Sequence, residues 1–264
     1  MQAVICFEML YPALTPEQKI ENIANCGFAA VEFWGWRDKD IPAIKTVCAN
    51  KGVRVANFSG HRRGSLISLE SHPVFFEDLK DAVIAADRLS CSTLMLLTNE
   101  LGQNGRVIDP YRGIPMEKKR QNLLNGLAEA LDKSPQHITL VLEPLNTRLD
   151  HPGYYLDSMS AAVEIINELN NPRLKALCDL YHLGMMEESP LEIVERYTQD
   201  IGYIHIADIP GRHEPGTGNL DWPEILKRIR QSGYSGDVGF EYAPRDDSTD
   251  SLNRILTLWN EICV

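Results

Sequence analysis

The chain has 264 residues, enough for one large barrel-type domain or two small ones, and its 44% hydrophobic and 24% charged residues can fill a sizeable core. The formal net charge of −11 argues against a phosphate-backbone partner, so no nucleic acid is expected. The apolar runs are too short to span a membrane, the start MQAVICFEML has no basic stretch and contains Glu8, and Cys6, Cys26, Cys48, Cys91, Cys178 and Cys263 form no CxxC pair. These features predict reduced thiols in a cytoplasmic protein without membrane contact.

Strand-like runs recur in chain order. VICFEML (4–10) is followed by a helix opening at Thr15-Pro16-Glu17-Gln18, with Thr15 as N-cap, Pro16 at the first helical position and Gln18 in the capping-box place. That helix stops at Gly27. AVEFWG (30–35), VRVANFSG (53–60) and TLMLLTN (93–99) come next, and EKKRQNLLNGLAEALDK has apolar residues at helical spacing. Then come ITLVLEPLN, the helical SMSAAVEIINELN, LKALCDLYH, IGYIHIAD, a helix opening at Asp221-Trp222-Pro223-Glu224 and stopping at Gly233, and GDVGFEYAP. The strands are short, nearly continuous and rich in Val, Ile, Leu and Phe, as buried parallel strands are. Eight of them alternating with helices predict a (β/α)8 TIM barrel of the α/β class, a single domain over 1–264, with its site at the strand C-termini.

The last four runs each end on a metal-ligand residue type: Glu143, Asp179, His205 and Glu241, separated by 36, 26 and 36 residues. Buried carboxylates are costly unless paired or bound to a cation. For either glutamate alone, pairing with a rim Arg or Lys is an equal alternative; four such residues at equivalent strand ends point to a divalent metal and proton chemistry. Three carboxylates and an imidazole without a thiolate favour Mn²⁺, Mg²⁺ or Co²⁺, with Zn²⁺ the further option. His182, three residues after Asp179, is a candidate donor to a substrate oxygen, or else a packing histidine. The polar, Gly-rich loop from Ala207 to Gly218 suits a small anionic ligand, and Arg212 within it is the natural partner for a carboxylate or an enediolate oxygen. His61, Arg62 and Arg63 are the fallback cations, unless they form a solvated basic loop. Trp34 and Trp36 either wall the pocket or cap the barrel, Asp221 caps a helix, and Glu8 and Glu32 are rim carboxylates without a clear role. No GxxxxGK[ST] occurs and no GxGxxG follows a strand, so no nucleotide site is expected.

The segments VLEPLN, CDLYH, HIADIPGRHEPGTGNLDW and VGFEYAP, with CGFAAVEFW earlier, resemble the hydroxypyruvate isomerase branch of the xylose-isomerase-like TIM-barrel superfamily over nearly the whole chain. The ADxPGRHEPGTG loop and the following EY are the most specific part. The resemblance implies that Glu143 and Glu241 act as acid and base around a divalent metal, with Asp179 completing the carboxylate ligands. The branch often has glutamine where this chain has His205; histidine there is the pattern of the related ketose 3-epimerases. Those epimerases have a second glutamate six residues after the first, where this chain has Leu149 followed by Asp150, a departure that favours the isomerase side. The superfamily's AP endonucleases use three zinc ions and an Asp-x-His pair; here that stretch reads Gly211-Arg212-His213 and no histidine ends TLMLLTN.

The expected reaction is metal-assisted proton abstraction beside a carbonyl through a cis-enediolate. Isomerisation of hydroxypyruvate to tartronate semialdehyde, or of a close short-chain 2-oxo acid, is the first reading. Ketose 3-epimerisation is the alternative, and an endonuclease-like or non-catalytic sugar-binding barrel the remote one. The small molecule is thus a 2-oxo acid or a ketose, and assembly into a homo-oligomer stays open.

Overall fold

The computed structural model describes residues 1–263. Eight parallel strands close into a barrel in sequence order: β1 (Gln2–Cys6), β2 (Ala30–Phe33), β3 (Arg54–Ser59), β4 (Thr93–Leu96), β5 (Thr139–Leu142), β6 (Leu174–Asp179), β7 (Ile201–Ile206) and β8 (Asp237–Phe240). Helices α1 (Pro16–Asn25), α2 (Ile41–Lys51), α3 (His72–Leu89), α4 (Met116–Lys133), α5 (Met159–Leu169), α6 (Leu180–Met185), α7 (Pro190–Tyr197), α8 (Trp222–Gln231) and α9 (Ser248–Cys263) surround it. The chain is therefore a TIM barrel. The strands are buried on both faces, against the barrel interior and against the helices, which explains their continuous apolar sequence.

Local signals set the boundaries. Thr15 and Gln18 make the reciprocal capping box of α1, and Asp221 accepts the Glu224 N–H to start α8. Gly27 and Gly233, with φ of 101° and 84°, turn the chain just after α1 and α8. The strands are shorter than the apolar runs suggest. β5 and β8 end at Leu142 and Phe240, so Glu143 and Glu241 stand one residue beyond the ladder, at the rim. Between β6 and β7 the chain forms two helices, α6 and α7. Irregular pairing between Val31 and Glu32 in β2, and between Ala176 and Leu177 in β6, re-aims the residues that follow. All six cysteines are free, and no helix among the described residues is long and apolar enough to cross a membrane.

Candidate active site

Strand register assembles the site. Asp179 pairs with His205 across β6–β7, and His205 pairs with Gly239 across β7–β8, two residues before Glu241. Glu143, Asp179, His205 and Glu241 are all buried, and one ligand-type atom from each lies within 4.8 Å of every other. His205 Nδ1 is 3.2 Å from Glu241 Oε2, 3.6 Å from Glu143 Oε1 and 3.9 Å from Asp179 Oδ2. That nitrogen is buried and has no hydrogen-bond partner among the described residues. An unsatisfied imidazole nitrogen facing three carboxylates fits a shared cation, so the cluster could hold a metal ion.

Each side chain is held from behind. His205 Nε2 donates to Glu32 Oε2 at 3.1 Å, which turns Nδ1 toward the carboxylates. Gly239 makes room for this pair, since a Cβ there would stand 2.4 Å from Glu32 Oε1 and 2.7 Å from His205 Cδ2. Asp179 caps α6: its Oδ1 accepts from Tyr181 N at 2.8 Å and His182 N at 3.1 Å, leaving Oδ2 for the cluster. Glu241 Oε1 accepts from Trp34 Nε1, and its Oε2 pairs with Arg212 at 2.9 Å. Arg212 also lies 3.9 Å from Asp179 and stacks over the Tyr181 ring, 5.0 Å from its centroid.

The two glutamates differ electrostatically. Burial pushes the Glu143 carboxyl up to about 7, against the pull of His205. Burial also acts upward on Glu241, but Arg212 and His205 outweigh it and hold that carboxyl well below the usual range. Burial likewise raises Asp179, against Arg212. For His205 burial acts downward, yet Glu32 and the cluster carboxylates raise the imidazole well above its ordinary value. His182 is pushed well below its ordinary value by burial and by Arg212, so it is neutral. Its Nδ1 accepts from Asn146 Nδ2 at 2.7 Å, so Nε2 carries the proton, 3.6 Å from Asp179 Oδ2.

A cavity of about 460 Å³ opens above the cluster. Glu143, Glu241, His182, Arg212, Trp34 and Arg62 line it, with Met95, Leu97 and Leu145 as apolar wall and Asp150, His151 and Gly105 also in the lining. Buried Asp208 organises the loop that carries Arg212. Its carboxylate accepts from the backbone N–H groups of Ile209, Gly216, Gly218 and Leu220 at 2.8–3.3 Å. Removing this acceptor strands several donors. Asp208→Ala is therefore expected to lower stability by about 2–4 kcal/mol, read as a lower urea midpoint, with Arg212 displaced.

The structure thus brings together Glu143, Asp179, His205 and Glu241, with His182 and Arg212 beside them. It resolves the tryptophans: Trp34 walls the pocket, and Trp36 is buried against Phe58. His61 is not a cation at the mouth. It is buried, pushed down to about 4 by burial, and accepts from Leu97 N while donating to Arg63 O. Arg63 pairs with Asp78 and Glu77. Glu8 accepts from Trp34 N and pairs with Lys39, which fixes the pocket wall. Sequence reasoning missed the place of Glu32. The available signal was a carboxylate inside the apolar run AVEF, with a glycine in the equally buried VGFEY strand.

The closed barrel and this rim cluster define a xylose isomerase-like TIM barrel, and the model of that family matches residues 20–258. The hydroxypyruvate isomerase of Escherichia coli K12 is 30% identical over 245 residues, covering 89% of this chain and 90% of its own. The 2-oxo-tetronate isomerase of Pectobacterium atrosepticum is 25% identical, covering 92% of each. A crystal structure described as AP endonuclease, family 2, from Brucella melitensis superimposes with a TM-score of 0.88 at 25% identity, covering 97% of this chain and 98% of its own. The chain belongs to the hydroxypyruvate isomerase family, and it is an enzyme of the isomerase class.

Proposed function

We propose that this enzyme is a divalent-metal-dependent aldose–ketose isomerase of short 2-oxo acids, with hydroxypyruvate to tartronate semialdehyde as the first candidate reaction. The carrying observation is the convergence of Glu143, Asp179, His205 and Glu241 under one cavity, in a chain related to isomerases of hydroxypyruvate and 2-oxo-tetronate. These four residues are the proposed metal ligands, with Mn²⁺, Mg²⁺ or Co²⁺ preferred by the oxygen-rich set and Zn²⁺ also compatible. When bound, the cation supplies Lewis-acid polarisation of the carbonyl and stabilises enediolate charge.

The remaining chemistry is assigned to side chains. One glutamate takes the proton from the hydroxymethyl carbon of hydroxypyruvate, and the electron pair of that C–H bond forms the carbon–carbon double bond of the enediolate. The hydroxyl proton passes to the neighbouring oxygen, and a proton delivered to the former carbonyl carbon completes the aldehyde. Glu143 and Glu241 both line the cavity and are assigned as the pair that takes and returns the proton, with Glu241 paired to Arg212. His182, neutral with its proton on Nε2, donates to a substrate oxygen. Arg212 keeps Glu241 charged and faces the enediolate.

Ketose 3-epimerisation remains the second reading, favoured by His205 and by Asp150. The latter lines the cavity and accepts from Tyr181 OH and Asn146 Nδ2, whereas Leu149 is 62% exposed. The deciding experiment incubates metal-supplemented enzyme with hydroxypyruvate, other short 2-oxo acids and free ketoses in D₂O, with products followed by NMR. Deuterium entering the carbon next to the carboxylate of an acid supports the isomerase. Inversion at C3 of a ketose, without turnover of any acid, replaces it with the epimerase. The cytoplasmic location is part of the proposal, supported by six free thiols.

Glu32 is proposed to orient His205 toward the cation through the Nε2–H contact. Outer partners of this kind are typically worth about 10–100-fold in metal affinity. Glu32→Gln should weaken Mn²⁺ binding by about that factor, measured by calorimetric titration, while the fold persists. Unchanged affinity would reduce Glu32 to core packing.

A further inference from the structure

Two guanidinium groups line the cavity, and they stand in opposite situations. Arg212 is committed to Glu241 and lies near Asp179. The Arg62 side chain has no hydrogen bond or ion pair among the described residues, although the chain is strongly acidic. Its cationic neighbours are all engaged: Arg63 with Asp78 and Glu77, Arg37 with Asp78 and Asp81, Lys39 with Glu8 and Asp38.

Arg62 is nevertheless held in place. Its backbone N–H donates to the fully buried Asp78, which Arg37 and Arg63 clamp from two sides. Its stem passes over Gly35, where a Cβ would stand 3.5 Å from Arg62 Cγ and 3.6 Å from Cδ. The topology places the side chain usefully. Arg62 follows β3 and Arg212 follows β7, four strands apart in a ring of eight, so the two approach the mouth from opposite sides.

We infer that Arg62 is the specificity-determining residue that takes the carboxylate of an acidic substrate. The inference rests on the isomerase reading for its substrate, with the reacting carbons over Glu143 and Glu241 and the carboxylate reaching across the mouth. A planar guanidinium with free donors suits a carboxylate better than any other cation at this cavity. The committed Arg212 would act on acid and neutral substrates alike.

The test uses wild type, Arg62→Ala and Arg62→Lys, all metal-loaded, with two matched pairs. Hydroxypyruvate and dihydroxyacetone differ by carboxylate against hydroxymethyl and read turnover. D-glycerate and glycerol differ in the same way and read binding by calorimetry. Arg62→Ala should lower kcat/KM for hydroxypyruvate by about 30–100-fold, mostly through KM, and weaken D-glycerate binding to a similar extent. Arg62→Lys should fall between, and turnover of dihydroxyacetone should stay within about twofold of wild type. Equal losses on both substrates, or unchanged D-glycerate binding in Arg62→Ala, would overturn the role of Arg62. If wild type turns over no acid while Arg62→Ala still weakens D-glycerate, the isomerase reading fails and Arg62 stands as a carboxylate site.

Discussion

Glu241→Gln is expected to lower turnover by about 10²–10⁴-fold while leaving the barrel folded, the range for losing a general acid or base. Glutamine matches the size of glutamate and still offers an oxygen to Trp34 Nε1, but it cannot take a proton and leaves Arg212 without its charged partner. Glu143→Gln should act comparably. The backbone N–H and C=O of Glu143 are bonded to Leu96 and to Tyr154 OH, so its rim position does not depend on the carboxyl. Both are proposed ligands as well as proton carriers, so metal content must be measured beside kcat. A variant that keeps its metal yet no longer exchanges the substrate C–H proton in D₂O has lost the base alone. The double variant should be little worse than the worse single one, because the two act on one proton path. Near-normal turnover of Glu241→Gln would remove that residue from acid–base chemistry.

The barrel was legible because each unit repeats the same physics. Buried parallel strands need continuous apolar runs, and the helices between them carry caps such as Thr15 with Gln18 and stops such as Gly27. The four cluster residues were legible because three carboxylates and a histidine recur at equivalent ends of apolar strands, where burial without a partner is costly. What stayed hidden depends on register and on the path of side chains. Glu32 touches His205 only because closure of the barrel through β8 and β1 brings β7 within three strands of β2, at a separation of 173 residues. The irregular pairing after Val31 that re-aims Glu32 has no local sequence mark. The run His61-Arg62-Arg63 shows the same limit: three neighbouring cation types reach three fates, a buried neutral ring, a cavity-lining guanidinium without a side-chain partner among the described residues, and a salt-bridged one. The choice is made by Asp78 and Leu97, which lie on other elements.

Removal of divalent cations by chelation and dialysis is expected to depress turnover by about 10³-fold or more, since Lewis-acid assistance supplies several kcal/mol of barrier lowering. Mn²⁺, Mg²⁺ or Co²⁺ should restore it. Asp179→Asn makes the same point without a chelator. The asparagine oxygen can still cap α6 by accepting from Tyr181 N and His182 N, so the helix start survives. Its NH₂ then replaces the oxygen that faces His205 Nδ1 and Arg212, and an amide hydrogen is no ligand. A reading independent of activity comes from thermal unfolding. A cation that binds only the native state adds about 2.7 kcal/mol at a concentration of 100 Kd, so metal should raise the Tm of wild type. The same addition should leave Asp179→Asn nearly unmoved. Full turnover in chelated wild type, with a Tm indifferent to metal, would sink the metal reading. The cluster would then stand as a buried acid set balanced by Arg212 and a protonated His205, and the proton path between Glu241 and Glu143 would need no cation.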